Sequence, residues 1–192
     1  MKALARVSSK VIILSLIPLI TFSAILFASM KITADRYHNS QHMLEFRLHQ
    51  TEQLNLIIRT FTSGIIDTTH KTRSGMALWQ DSQKQVASAI ETITQQWQGY
   101  KATELSAQEV TLVKSMAPLY QNSEKAMNKI SAFMAEASSY SMGNFVDLHM
   151  YAALEPFLLK LDQLVVLQKE LAREEILLNA ELASKTNQML FL

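Results

Sequence analysis

From Lys31 to the end of the chain, apolar residues recur three and four positions apart, and no stretch alternates residue by residue. That spacing lays apolar side chains along one stripe of a helix, whereas strict alternation would mark a half-buried strand. Trp79, Val86, Ile90, Ile93, Trp97 and Tyr100 make one such seam, with Gln83 its one polar position. Val110, Val113, Ala117, Tyr120, Met127, Met134 and Ala137 make a second. Leu161, Leu164, Leu171, Leu178, Leu182 and Met189 make a third, with Glu175 and Lys185 at its charged positions. Leu44, Leu48, Ile58, Ile65 and Met76, with Thr51, Thr69 and Thr72 between them, make a fourth and more polar seam. A repeat near 3.5 residues specifies helices packed at shallow angles in a bundle.

The boundaries between seams have their own chemistry. Ser106 to Glu109 is a capping box, in which the Ser106 hydroxyl accepts from the Glu109 N–H and the Glu109 carboxylate accepts from the Ser106 N–H. Leu105 and Val110 flank it at the staple positions. A break follows Arg73–Gly75, Gln98–Thr103 ends the second helix, and Ser138–Leu148, with Gly143 and Asn144, reads as the third connection. Pro156 falls near the start of the last helix, where a missing N–H costs little. The expected helices are 31–73, 77–98, 107–139 and 150–190, an all-α, antiparallel up-down four-helix bundle.

Residues 11–30, VIILSLIPLITFSAILFASM, carry no charge. About 20 apolar residues suffice for a helix to cross a bilayer. The sequence therefore predicts a transmembrane helix over 11–30 that continues into the bundle. Lys2, Arg6 and Lys10 precede it and the mixed group Lys31, Asp35 and Arg36 follows, which keeps residues 1–10 in the cytoplasm and places 31–187 outside it. A cleaved signal peptide is the rival, but its apolar region is usually about 7–15 residues long. Residues 188–192, QMLFL, read as the onset of a truncated second transmembrane segment.

Composition removes several functions. There is no Cys, so disulfides, thiolate metal sites and cysteine nucleophiles are excluded. Only 4 Gly leave no phosphate-cradling loop, and a net charge of +1 gives no basic field for nucleic acid. The seams carry neither a Ser/His/Asp constellation nor paired inward carboxylates. The sequence therefore indicates neither an enzyme nor a cofactor.

The order of its stretches resembles the periplasmic four-helix-bundle sensor domains of bacterial methyl-accepting chemotaxis proteins. The resemblance rests on Asp67–Trp79, on Ala89–Trp97 with Tyr100, on Leu105–Glu109, and on Leu154–Pro156 followed by Leu164–Gln168. It covers about residues 31–190. It implies an inner-membrane homodimer whose periplasmic domain senses a small-molecule ligand or a ligand-loaded binding protein, and which signals by helix displacement. Similar bundles sit on histidine kinases and diguanylate cyclases, and a membrane-anchored scaffold bundle is a further alternative. The family's second spanning helix, HAMP linker and methylated hairpin are not in this sequence, so this stretch alone would bind a signal without relaying it to a kinase.

In related receptors for small amino acids, helix-1 arginines hold the ligand carboxylate between two subunits. That resemblance points to Arg73, with Thr69, His70 and Lys71 beside it, to Arg59 as a weaker match, and to Tyr151 and Asn144 across from them. Arginine suits the task because its fork meets a carboxylate bidentately. The same charges also suit a solvated helix face. His38, His42, Glu45 and His49 share one stripe with metal-ligand spacing, and three surface histidines are the plainer reading of it. Trp79, Trp97 and Tyr100 lie on a seam, which favours core packing over an aromatic cage.

Overall fold

A computed structural model describes the backbone of residues 2–190 and the side chains of residues 18–25, 27–31, 42–181 and 184–185. The chain is all-helical. Helix α1 covers Lys2–Arg59, a π-helical segment covers Thr60–Asp67, and α2 covers Thr68–Arg73. Helices α3, Trp79–Lys101, and α4, Ala107–Ala135, follow. The last stretch is α5, Ser139–Phe145, a second π-helical segment, Val146–Met150, and α6, Tyr151–Leu190. Contacts divide the chain into two compact units, Phe46–Arg173 on one hand and Met1–Glu45 with Glu174–Leu192 on the other.

In the second of these units the expectation of a transmembrane helix over 11–30 is overturned. Among the described residues, no helix is long and apolar enough to cross a membrane. The described side chains of that run begin at Pro18, and Thr21, Ser23 and Ser29 interrupt it before Lys31. Thr21 donates its hydroxyl to the Pro18 carbonyl at 2.9 Å, and Leu19, Ile20, Phe22, Ile25, Phe27 and Met30 are exposed. Of the expected second segment, residues 188–190 continue α6, while Phe191 and Leu192 lie outside the described residues.

Residues 46–173 bring four helical limbs around one core. At one end Arg47 meets Glu109 and Gln168 while Gln50 meets Thr103, which joins the start of limb one, the end of limb two, the start of limb three and the end of limb four. At the other end Arg73 meets Asp147, Thr72 meets Ser82, and Phe133 meets Phe145. Neighbouring limbs therefore run antiparallel, as their short connections require. The centre is aromatic. Trp97 stacks on Tyr100 with centroids 6.0 Å apart, and Phe157 meets Trp97 at 5.2 Å and Tyr120 at 5.3 Å in edge-on contacts. Trp97 and Tyr100 are thus core residues, whereas Trp79 is half-buried.

Several seam positions face the other way. Leu48, Met76, Ala117, Ala137 and Leu178 are exposed, and the side chains of Leu182 and Met189 lie outside the described residues. The first limb buries Ile65, Thr69 and Thr72 of its expected seam, but otherwise Arg47, Gln50, Leu54, Ile57 and Phe61. Its polar members disguise the stripe, and the π-helical turn adds about one residue per turn and shifts the phase beyond Thr60. The Thr68 hydroxyl marks that shift by donating to the Ser63 carbonyl, five residues back, at 3.0 Å. Here Gly64 lies against Ala89 so closely that a Cβ on it would stand 2.7 Å from the Ala89 Cβ.

The capping box at Ser106 forms as the sequence predicts, with both reciprocal bonds present. The break after Arg73 is a Schellman turn, in which Gly75 at φ 75° donates to Thr72 and Met76 donates to Lys71. The third connection differs from the expected Ser138–Leu148. It is a second Schellman turn, with Ala137 at φ 48° donating to Met134 and Ser138 donating to Phe133. Helix resumes at Ser139, so Gly143 and Asn144 are helical and Pro156 lies inside α6. A π-helical segment, Val146–Met150, joins this stretch to α6, although Gly143 and Asn144 suggest a loop in the sequence.

Candidate functional site

The proposed ligand residues do not all come together. The 46–73 limb and the α5–α6 limb meet where α2 faces the second π-helical segment. There the Arg73 guanidinium donates twice to Asp147, at 2.5 Å and 2.7 Å, and His70 Nε2 sits 2.9 Å from the Tyr151 hydroxyl. His70, Arg73 and Tyr151 are therefore brought together, and Asp147 joins them as a residue the sequence reading missed. The Asp147 carboxylate already fills the arginine fork with the bidentate geometry a ligand carboxylate would use. Lys71 and Arg59 are exposed elsewhere. Thr69 is fully buried, and its hydroxyl donates to the Ile65 carbonyl at 2.6 Å, so it serves its own helix. Asn144 is exposed on α5.

Two grooves lie on this unit. One, of about 310 Å³, runs between the first π-helical segment and α3, where Arg59, Thr60, Ser63, Gln85, Ser88 and Thr92 line it. The other, of about 390 Å³, lies between α4 and the α5–α6 limb, where Lys125, Lys129, His149 and Phe145 line it. Ser123 donates to the Ala153 carbonyl at 2.9 Å beside this second groove and ties its two walls together.

A buried polar cluster closes the opposite end of the bundle. Arg47 Nη1 donates to Glu109 Oε2 at 3.0 Å and to Gln168 Oε1 at 3.2 Å. Tyr100 donates to Glu109 Oε1 at 2.9 Å, and the Gln168 amide donates to both Tyr100 and Glu109. Gln50 donates to Thr103 at 2.8 Å. Burial pushes the Glu109 carboxyl up, but hydrogen bonds from Ser106 and Tyr100 and the Arg47 charge outweigh it and hold the group below its ordinary value. Burial raises the Tyr100 phenol, and the neighbouring Glu109 charge adds to the rise. Glu109 was legible as a cap and not as a core residue. Its spacing of seven from Met116, in phase with Tyr120, Ser123 and Met127, was the available signal.

The histidine stripe carries no metal centre among the described residues, where no group of three or more ligating side chains converges. His42, Glu45 and His49 are exposed, and the His38 side chain lies outside the described residues.

Residues 46–173 thus form an all-helical bundle with a charged junction at one end and a buried polar cluster at the other. Comparison with known proteins is more specific. A stretch of 124 residues, 65% of the chain, is 23% identical to the methyl-accepting chemotaxis protein NahY of Pseudomonas putida. The match spans 23% of that protein's length. No known family profile matches the chain. No solved structure matches it.

Proposed function

We propose that residues 46–173 form the ligand-sensing bundle of a chemoreceptor-related protein that faces the outside of the cytoplasm as a homodimer. The observation that carries this reading is the similarity of 124 residues to a methyl-accepting chemotaxis protein in a chain that folds as a helical bundle. Sensing needs no catalytic step and no cofactor from this chain.

The junction of Arg73, His70, Tyr151 and Asp147 supports a mechanism. Two polar links there tie α2 to the start of the last limb. A small carboxylate ligand, free or carried by a binding protein, takes the arginine fork in place of Asp147. The last limb is then released and shifts along the first. Such a ligand moves the equilibrium only by its preference for the released arrangement.

The experiment is a thermal-shift screen of the full chain against amino acids and organic acids. A ligand at about 100 times its dissociation constant adds about 2.7 kcal/mol of stability. The reading expects a carboxylate whose shift disappears in Arg73→Ala and whose affinity rises in Asp147→Asn. Carboxylate shifts that all survive Arg73→Ala unchanged refute this site, and the absence of any shift refutes direct sensing.

A further inference from the structure

We infer that the groove between α4 and the α5–α6 limb is a binding site for an organic anion with an apolar body, a carboxylate carried on a short hydrocarbon. Lys125 and Lys129 stand one turn apart on α4, on the same wall of the groove, and His149 lies on the facing wall. Like charges four residues apart on a helix repel each other. Neither lysine has an acidic residue three or four positions away to offset this. Among the described residues no ion pair reaches Lys125, Lys129 or His149, and no carboxylate lines the groove. Arg73 shows the contrast, since its charge is answered inside the fold by Asp147.

The remaining lining is apolar. Ala126, Ala152 and Ala153 leave the space between the limbs open, and Phe145 is almost completely buried beneath it. The Lys129 ammonium lies 5.9 Å from the Phe145 ring centre, and the His149 ring lies 6.0 Å from the same ring. The Lys129 ammonium and the His149 ring are thus gathered at an apolar floor, so a bound molecule meets both kinds of surface at once. The Asn122 side chain adds a neutral donor to the lining. A carboxylate head answers the lysines by charge-assisted hydrogen bonds, and its hydrocarbon body covers the alanines and Phe145. The groove of about 390 Å³ has room for such a molecule. This site is separate from the Arg73 junction and does not depend on the chemoreceptor reading.

The test is calorimetric titration of the full chain with hexanoate, with acetate and hexanamide as comparison probes. Hexanoate binds, acetate binds at least about tenfold more weakly for want of the body, and hexanamide does so for want of the charge. The double variant Lys125→Gln/Lys129→Gln weakens hexanoate about tenfold or more, as expected for lost charge-assisted bonds. The exposed-lysine control Lys84→Gln/Lys114→Gln binds hexanoate as the native chain does. Equal affinity in the lysine double variant and the native chain, equal loss in the exposed-lysine control, or no hexanoate binding at all overturns the inference. Loss in Arg73→Gln alone would move the anion to the junction and equally overturn it.

Discussion

Replacing Arg47 by Met tests whether the buried polar cluster is held by charge. The Glu109 side chain is 0% exposed and that of Arg47 9%, so water replaces neither partner. The variant keeps an apolar stem of similar reach and removes the cation, leaving the Glu109 carboxylate buried with bonds from Tyr100, Ser106 and Gln168. Breaking a buried pair in this way costs about 3–5 kcal/mol, and the three surviving donors place the expected loss at about 3 kcal/mol. At about 2–4 °C per kcal/mol, the melting temperature falls by about 6–12 °C. Thermal unfolding followed by circular dichroism at pH 7 measures it.

The pH dependence supplies a second readout. Glu109 is held below its ordinary value in the folded chain. A depressed carboxyl contributes stability that is present above its unfolded value, about 4.3, and is lost as pH falls through the folded value. Arg47→Met removes one cause of that depression, so the gap between native and variant narrows below about pH 4. Adding Glu109→Gln to Arg47→Met recovers part of the loss, because no unpaired buried charge remains. A melting temperature within the range of the exposed control Arg59→Met, about 0.5 kcal/mol, would refute the charge-pair reading of the cluster.

Three backbone positions give predictions, two of loss and one of gain. Gly64→Ala gains about 1 kcal/mol of helix propensity but drives a Cβ to 2.7 Å from Ala89, so the net effect is a loss of about 1 kcal/mol or more. A lowered urea midpoint at unchanged slope shows it, and Ala89→Gly in the same chain restores part of it. Ala137→Gly raises stability by about 1 kcal/mol, because a non-glycine residue at φ 48° carries a left-handed cost. The matched change Gly75→Ala at φ 75° lowers stability by a similar amount, and equal melting temperatures for both variants and the native chain would contradict this account.

The helical periodicity, the break at Gly75 and the capping box at Ser106 were determined by the sequence alone, because each depends on contacts within a few residues. The same local reasoning placed Trp97 and Tyr100 in the core. It failed where polar residues are buried. Arg47, Gln50, Glu109 and Gln168 occupy core-facing positions, but each is tolerable there only because side chains from other limbs satisfy it, and that partnership is invisible along one helix. It failed again at Ser138–Leu148, where glycine and asparagine suggest a loop and packing of Met142, Phe145 and Val146 into the core holds the segment helical. The uncharged, apolar run at 11–30 suggested a span by its length and composition, but among the described residues no helix is long and apolar enough to cross a membrane.

The candidate site divides along the same line. Sequence named His70, Arg73 and Tyr151, but only the fold shows that Asp147 occupies the arginine. Lys125, Lys129 and His149 carry no motif. They become a site because the α5–α6 limb packs Phe145 and two alanines against α4, which gathers charge and apolar surface that lie about twenty residues apart in the chain into one groove.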